Sequence, residues 1–281
     1  MTSRNPSVPP IASAVSAPVS VDSIRLTPAA MDANLLHFQN KYEVNPKFLA
    51  SMSKLVAYDT VLICDDSGSM RDLADPDTGS STTRWEELKK SVSIIIEAHA
   101  AVGMTCDIYF INRGMCKGVH DFSAVSHMFD DPPHGGTNLA NVLSLMARDH
   151  IGADMYRPLI VHILTDGHPT NSLGQEDIAG LTYWLRFRSF PNKTFYSIVL
   201  CTDDEEIERA YRGLEWDPKY NKGVVGVDVT EDYRGETRDV KRARGQRYRF
   251  TFGDYIVKTV LGAIDPTVHM IDMPEACCVI C

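Results

Sequence analysis

The stretch that decides the fold reads Thr60-Val61-Leu62-Ile63-Cys64-Asp65-Asp66-Ser67-Gly68-Ser69. Its first half is an unbroken apolar run, which is typical of a strand covered by helices on both faces. Its second half is polar and places one carboxylate and two hydroxyls on a single turn. In an open α/β sheet, ligands bind beyond the carboxyl ends of the strands, so we expect this turn to line a binding site.

Strand-like and helix-like segments alternate along the chain after this stretch. Further strands are predicted over residues 106–111, 158–164, 195–201 and 224–229, with an edge strand near residues 119–122. Helices are predicted over residues 84–102, 138–148, 172–188, 202–213 and 254–264. This alternation predicts an α/β fold with a doubly wound, mostly parallel central sheet, helices on both faces and one short antiparallel edge strand.

The flanking segments differ in composition from this α/β region, which we place at residues 57–265. Residues 1–28 are rich in Ser, Pro and Ala and contain no aromatic residue, which predicts a disordered arm. Residues 29–56 predict a helical extension made of two helices. Residues 266–281 are interpreted as a flexible tail that contains cysteines.

Two further turns carry oxygen-bearing side chains. Gly135-Gly136-Thr137-Asn138 opens a predicted helix, and Thr165-Asp166-Gly167 ends a buried apolar strand. Hydroxyl and carboxylate oxygens suit a hard cation such as Mg²⁺. Asp65 and Asp166 at neighbouring strand ends would repel each other unless a cation lay between them. The alternative is that these are plain polar turns, with Asp65, Ser67 or Thr137 capping the helices that follow.

Together the three turns resemble the metal-ion-dependent adhesion site of the von Willebrand factor A (vWA) family, also called the integrin I-domain family. The family pattern is D-x-S-x-S, then a Thr in a Gly-Gly-Thr turn, then an Asp in a T-D-G turn. It is matched here by Asp65, Ser67, Ser69, Thr137 and Asp166. The resemblance spans about residues 57–265 and implies a Rossmann-like fold. It also implies that the serines and the threonine bind Mg²⁺ or Mn²⁺ directly, that the aspartates act through water, and that a partner's carboxylate completes the shell.

Charge and hydropathy exclude some classes of partner. The net charge of −9 makes nucleic acid a poor default partner, because duplex binding needs concentrated positive charge. One basic run, residues 234–249, is interrupted by Glu236 and Asp239, and we interpret it as a solvated loop. There is no apolar run of about 18 residues that could span a membrane, and no secretory signal pattern. These features predict a cytoplasmic protein.

The seven cysteines are odd in number, and Cys64 and Cys201 lie within apolar runs. We expect a reducing environment and no disulfide framework. The last four residues, Cys278-Val279-Ile280-Cys281, resemble a C-a-a-X prenylation box, which would attach the protein to a membrane surface through a lipidated Cys278. An accidental unstructured tail and a thiol metal clip remain open alternatives.

The preferred function is a non-enzymatic binding module that captures a Glu or Asp carboxylate of a partner protein through the cation. One alternative is a Mg²⁺-dependent phosphoryl-transfer or hydrolytic enzyme, and another is a structural vWA domain whose metal site is not functional. The sequence contains no P-loop and no nucleophile elbow, and Ser67 stands where a phosphatase would carry a second aspartate. No His and Cys cluster has zinc-site spacing.

Overall fold

The computed structural model describes residues 26–74, 81–152, 155–171, 173–187, 192–216 and 222–273. The predicted disordered arm, apart from its last three residues, lies outside the described residues. So does the C-terminal Cys278 proposed as a lipid attachment site. None of the described helices is both long enough and apolar enough to cross a membrane.

In the described part of the chain, six strands form one sheet. They are β1 (Asp59–Cys64), β2 (Cys106–Phe110), β3 (Gly114–Val119), β4 (Leu159–Thr165), β5 (Thr194–Leu200) and β6 (Val227–Thr230). Their order is β3-β2-β1-β4-β5-β6, and every pair is parallel except the antiparallel pair β2–β3. The predicted fold class, a doubly wound, mostly parallel Rossmann-like sheet with one antiparallel edge strand, is confirmed.

The direction of winding changes at the centre of this sheet. From β1 the chain continues to β2 and β3 on one side and then returns to β4 on the other. The carboxyl ends of β1 and β4 therefore lie side by side at the topological switch point, where open α/β sheets bind their ligands.

Helices cover both faces of the sheet. They are α1 (Pro28–Tyr42), α2 (Pro46–Met52), α3 (Arg84–Ala101), α4 (Leu139–His150), α5 (Ile178–Phe187), α6 (Glu205–Arg212), α7 (Tyr233–Arg244), α8 (Phe252–Leu261) and α9 (Pro266–His269). Strand side chains alternate between two cores: Leu62 packs with α1, α2, α3 and α8, whereas Ile63 packs with α4, α5 and α6. This is the period of two that a strand imposes, and each face is apolar because each is covered.

The two helices predicted before β1 are present and belong to the first core. Asn45 caps α2 through its side chain, and Pro46 occupies the first helical position, where its missing N–H costs nothing. Phe48 and Met52 of α2 are buried against the rest of that core. Full burial of one such side chain stabilises the fold by about 1.5–3 kcal/mol.

The interpretation of residues 234–249 as a solvated loop is wrong. Most of this run forms α7, which Asp232 caps by accepting a hydrogen bond from the backbone of Gly235. Val240 is buried on its inner face, while the basic residues concentrate in its last turn, where they interact favourably with the helix dipole. The cap, the buried Val240 and ion pairs such as that between Asp239 and Arg212 hold a helix that is otherwise highly charged.

The prediction of a flexible tail from residue 266 onward is also wrong for its first residues. Asp265 caps α9, Pro266 starts it, and Val268 and His269 are buried. The edge strand lies at Gly114–Val119 rather than near residues 119–122. These differences arise because tertiary contacts select the ends of elements that local sequence leaves ambiguous.

Candidate metal centre

The three turns identified in the sequence meet at the carboxyl ends of β1 and β4. The N–H of Gly68 donates to the carbonyl of Gly135 at 3.0 Å, which ties the first turn to the second. The N–H of Thr170 donates to the carbonyl of Thr137 at 2.8 Å, which ties the second turn to the loop after β4. The structure thus brings together the five predicted residues, hereafter the three-turn site: Asp65, Ser67, Ser69, Thr137 and Asp166.

Asp65 is fully buried and both its oxygens accept hydrogen bonds. The backbone N–H of Ser67 donates to Oδ1 at 2.9 Å, and the Thr165 hydroxyl donates to Oδ2 at 2.6 Å. Burial and the nearby charge of Asp166 raise the pKa of Asp65 to about 6, even though these hydrogen bonds act in the opposite direction. The carboxylate is therefore held in a fixed orientation at some electrostatic cost.

The hydroxyls of the site face one another and the second carboxylate. Ser67 Oγ and Ser69 Oγ lie 3.1 Å apart, and Ser69 Oγ donates to Asp166 Oδ1 at 2.9 Å. Neither Ser67 nor Thr137 acts as a helix cap: Ser67 makes no capping hydrogen bond, and α4 is capped by Asn138. The interpretation of these hydroxyls as helix caps therefore has no support in the structure.

A space about the size of a methyl group adjoins two of these hydroxyls. A Cβ atom placed on Gly167 would lie 3.7 Å from Thr137 Oγ1 and 3.9 Å from Ser69 Oγ. Gly167 therefore leaves open a volume that both hydroxyls border. Ser69 and Gly136 are exposed, so the site communicates with solvent although Asp65 and Asp166 are buried.

A neighbouring arginine, which the sequence did not reveal, completes the site. Arg84 Nη1 donates to Asp166 Oδ2 at 3.0 Å, and the arginine side chain is only 16% exposed. Burial raises the pKa of Asp166, while the hydrogen bonds from Arg84 and Ser69 act to lower it. Sequence alone carried no signal for this contact, because Arg84 and Asp166 are separated by 82 positions.

Asp66, a variable position of the family pattern, has a structural role. Its Oδ1 accepts from the backbone N–H of Asn112 at 2.8 Å, and its Oδ2 accepts from Arg113 Nε at 3.0 Å. Arg113 also donates to the carbonyl of Met128 and stacks on the ring of Trp85. These contacts clamp the first turn to the end of β2, so Asp66 positions the turn and does not point into the three-turn site.

A divalent cation such as Mg²⁺ fits the chemistry of this donor set. Every side chain of the three-turn site offers oxygen, which hard cations prefer, and two carboxylates supply the charge. Burial and, after it, the charge of Asp166 raise the pKa of Asp65, so the two carboxylates oppose each other's ionisation. A cation held there would relieve that repulsion.

A second group of charged side chains lies buried elsewhere, under α8 and α9. Lys258, 1% exposed, lies 3.4 Å from Glu236 Oε1 and 3.3 Å from Asp272 Oδ2. Burial alone would lower the pKa of Lys258, but the surrounding carboxylates raise it well above its ordinary value. Lys258 is therefore a fully charged, buried ammonium. We name the group the lysine cluster, and its members are Lys258, Glu236, Asp272, Asp228, Glu215 and His269.

His269 supplies the second cation of the lysine cluster. Its Nε2 donates to the carbonyl of Trp216 at 2.9 Å, and its Nδ1 lies 2.5 Å from Asp228 Oδ1. Burial lowers the pKa of His269, but the Asp228 hydrogen bond and the Glu215 charge outweigh it and raise the pKa overall. Glu215, Asp228 and His269 each place one ligand-type atom within 4.8 Å of the others. Sequence spacing did not reveal this group, because its members come from separate segments.

Comparisons with known proteins concern the fold alone. No family model matches the chain, and no curated protein matches it. Among solved structures, 55 chains match, including one described as "Crystal Structure of the SpRpn10 VWA domain". That likeness has a TM-score of 0.43 and 12% sequence identity, and it covers 62% of this chain and 87% of the other. The chain is thus similar to a VWA domain at low identity, and this similarity says nothing about its ligand or partners.

Proposed function

We propose that this protein is a binding module, not an enzyme, that holds Mg²⁺ or Mn²⁺ in the three-turn site and uses it to capture a partner's carboxylate. The observation that carries the proposal is the convergence of Ser67, Ser69 and Asp166 from two strand ends into contact distance. Two buried carboxylates and three hydroxyls from the three turns form a donor set suited to such a cation.

The roles of the individual residues follow from their surroundings. Ser67, Ser69 and Thr137 would hold the cation through their hydroxyls, and Asp65 and Asp166 would supply the compensating charge. The cation would provide a Lewis-acidic position for an anionic ligand. Thr165 and the Ser67 backbone keep Asp65 oriented, so the site needs little rearrangement to receive the cation.

The route for the partner is the exposed side of the site. Ser69 is exposed, whereas Asp65 and Asp166 are buried beneath it. A Glu or Asp side chain of another protein can therefore approach from solvent without displacing the fold. The surrounding loops, which include residues 71–74 and 81–83, would contribute the specificity that a single carboxylate lacks.

Calorimetric titration with Mn²⁺ and Mg²⁺ tests the proposal. We expect one binding event in the full chain and its loss in Thr137→Val, which removes the hydroxyl and keeps the side-chain shape. Thr182→Val is the matched control, because the Thr182 hydroxyl bonds only within α5, to the carbonyl of Ile178. Absence of metal-dependent heat in the unaltered protein, or equal binding by Thr137→Val, contradicts the proposal.

A further inference from the structure

Arg84 occupies a position that local structure does not explain. It is the first residue of α3, next to the Thr83 and Glu86 capping box. A cation in the first turn of a helix opposes the helix dipole and is unfavourable there. Its Nε is buried without a hydrogen-bond partner. The contact that offsets these costs is the one between Arg84 Nη1 and Asp166 Oδ2, at 3.0 Å.

The contact between Arg84 and Asp166 changes the net charge of the three-turn site. When both are ionised, as they would be around a bound cation, Asp65 and Asp166 carry two negative charges between them, and Arg84 carries one positive charge. The group therefore has a net charge of −1. A divalent cation brings the total to +1, and one carboxylate from a ligand makes it neutral. Without Arg84 the metal-loaded site would already be neutral, and only the open coordination position of the cation would attract an acidic ligand.

We infer that Arg84 is a specificity-determining residue, an inference that rests on the proposed function. Arg84 weakens cation binding, and it makes the metal-loaded site selective for an anionic ligand. The guanidinium repels the incoming cation and competes with it for Asp166. The same positive charge, held 16% exposed beside the site, stabilises a carboxylate once the cation is present. Metal and acidic ligand are thereby coupled, so each strengthens binding of the other.

Variants of Arg84 test this inference, which predicts that removing the positive charge increases the affinity for the metal. Arg84→Gln keeps a hydrogen-bond donor for Asp166 and removes the charge, so we expect it to bind Mn²⁺ roughly tenfold tighter. Arg84→Lys keeps the charge and should bind Mn²⁺ with nearly the unaltered affinity. Arg249→Gln is the matched control: Arg249 pairs with Glu43 at the surface, is 74% exposed and lies outside the three-turn site, so the change should alter the affinity less than about twofold.

Acetate serves as the probe for the anionic ligand. Mn²⁺ titrations in acetate and in chloride of equal ionic strength should show tighter binding in acetate for the unaltered protein. For Arg84→Gln this acetate effect should be much smaller. Free Mn²⁺ also binds acetate weakly, but to the same extent for every variant titrated in acetate, so the comparison between variants removes that contribution. Thermal unfolding in chelator verifies that each variant is folded.

The outcomes separate this inference from the proposed function. Tighter Mn²⁺ binding by Arg84→Gln together with a reduced acetate effect supports the inference, because structural damage does not increase affinity. Equal or weaker binding by Arg84→Gln, with binding intact in the unaltered protein, overturns the inference and leaves the proposed function standing. Absence of Mn²⁺ binding in all variants overturns both.

Discussion

The three-turn site and the lysine cluster both bury carboxylates, but they neutralise them differently. In the lysine cluster, Lys258 and His269 lie among four carboxyl groups, so the chain itself supplies cations in direct contact. In the three-turn site one guanidinium contacts one of two carboxylates, and hydroxyls face the open side. Buried carboxyl groups enclosed with cations of the chain serve the fold, whereas buried carboxylates beside solvent-facing hydroxyls can serve a ligand.

The largest change in stability is expected from removing Lys258, the central cation of the lysine cluster. Lys258→Met leaves several buried carboxylates without their partner and should lower the free energy of unfolding by about 3–5 kcal/mol. Urea unfolding of the full chain measures this change. Lys41→Met is the control: Lys41 pairs with Glu97 on the surface, is 48% exposed, and its loss should cost about 0–1 kcal/mol. A loss below about 1 kcal/mol for Lys258→Met would show that the ammonium does not balance the cluster.

The second test adds the cation that the three-turn site is proposed to bind. Mn²⁺ at about 100 times its dissociation constant should raise the free energy of unfolding by about 2.7 kcal/mol. Asp65→Ala should abolish this increment, while Lys258→Met should retain it on a lower baseline. If Asp65→Ala keeps the increment, the stabilising metal binds elsewhere, and the group Glu215, Asp228 and His269 becomes the place to look.

The third test uses pH on the protein without metal. Folding raises the pKa of Asp65 from 3.8 to about 6, so between these values the folded state holds a proton that the unfolded chain has lost. Stability therefore falls as pH rises through this window, and the deficit is complete above about pH 6.

Asp65→Asn carries no titratable group at this position, so it lacks this loss of stability at higher pH. In chelator near pH 7 it should be more stable than the unaltered protein by about 1–3 kcal/mol, and the advantage should vanish near pH 4. Urea unfolding at several pH values measures the difference. Asp72→Asn, on an exposed residue of the same loop, should change stability by less than about 0.5 kcal/mol at every pH. A pH-independent effect of Asp65→Asn would contradict the raised pKa.

The smallest expected effect on stability comes from Gly167→Ala. The added Cβ would meet Thr137 Oγ1 and Ser69 Oγ at ordinary contact distances of 3.7 and 3.9 Å, so stability should change by less than about 0.5 kcal/mol. The methyl group would nevertheless occupy the volume that these hydroxyls border, and Mn²⁺ affinity should fall several-fold. Unchanged Mn²⁺ affinity in calorimetry would mean that the cation does not use that volume.

The features that could be predicted from the sequence are encoded by residues close together in the chain. Asp65, Ser67 and Ser69 follow one strand within five positions, so the spacing alone places them on one turn. The apolar period identified the sheet and the capping box at Thr83 identified the start of α3, as the structure confirms. Helix α7 was missed because its charge pattern is typical of a loop, and only the burial of Gly235, Glu236 and Val240 in the structure reveals its packed face.

The sequence by itself determined the doubly wound fold and the identity of five oxygen-bearing residues, four at the ends of two adjacent strands and Thr137 just before α4. Local periodicity and turn chemistry encode these features within short windows. The tertiary structure alone decided that Arg84 would reach Asp166 across 82 positions and that Lys258 would lie among carboxylates from separate segments. Such contacts depend on how α3 and α8 pack against the sheet. The balance of charge at each site is therefore set by packing geometry and not by any local pattern.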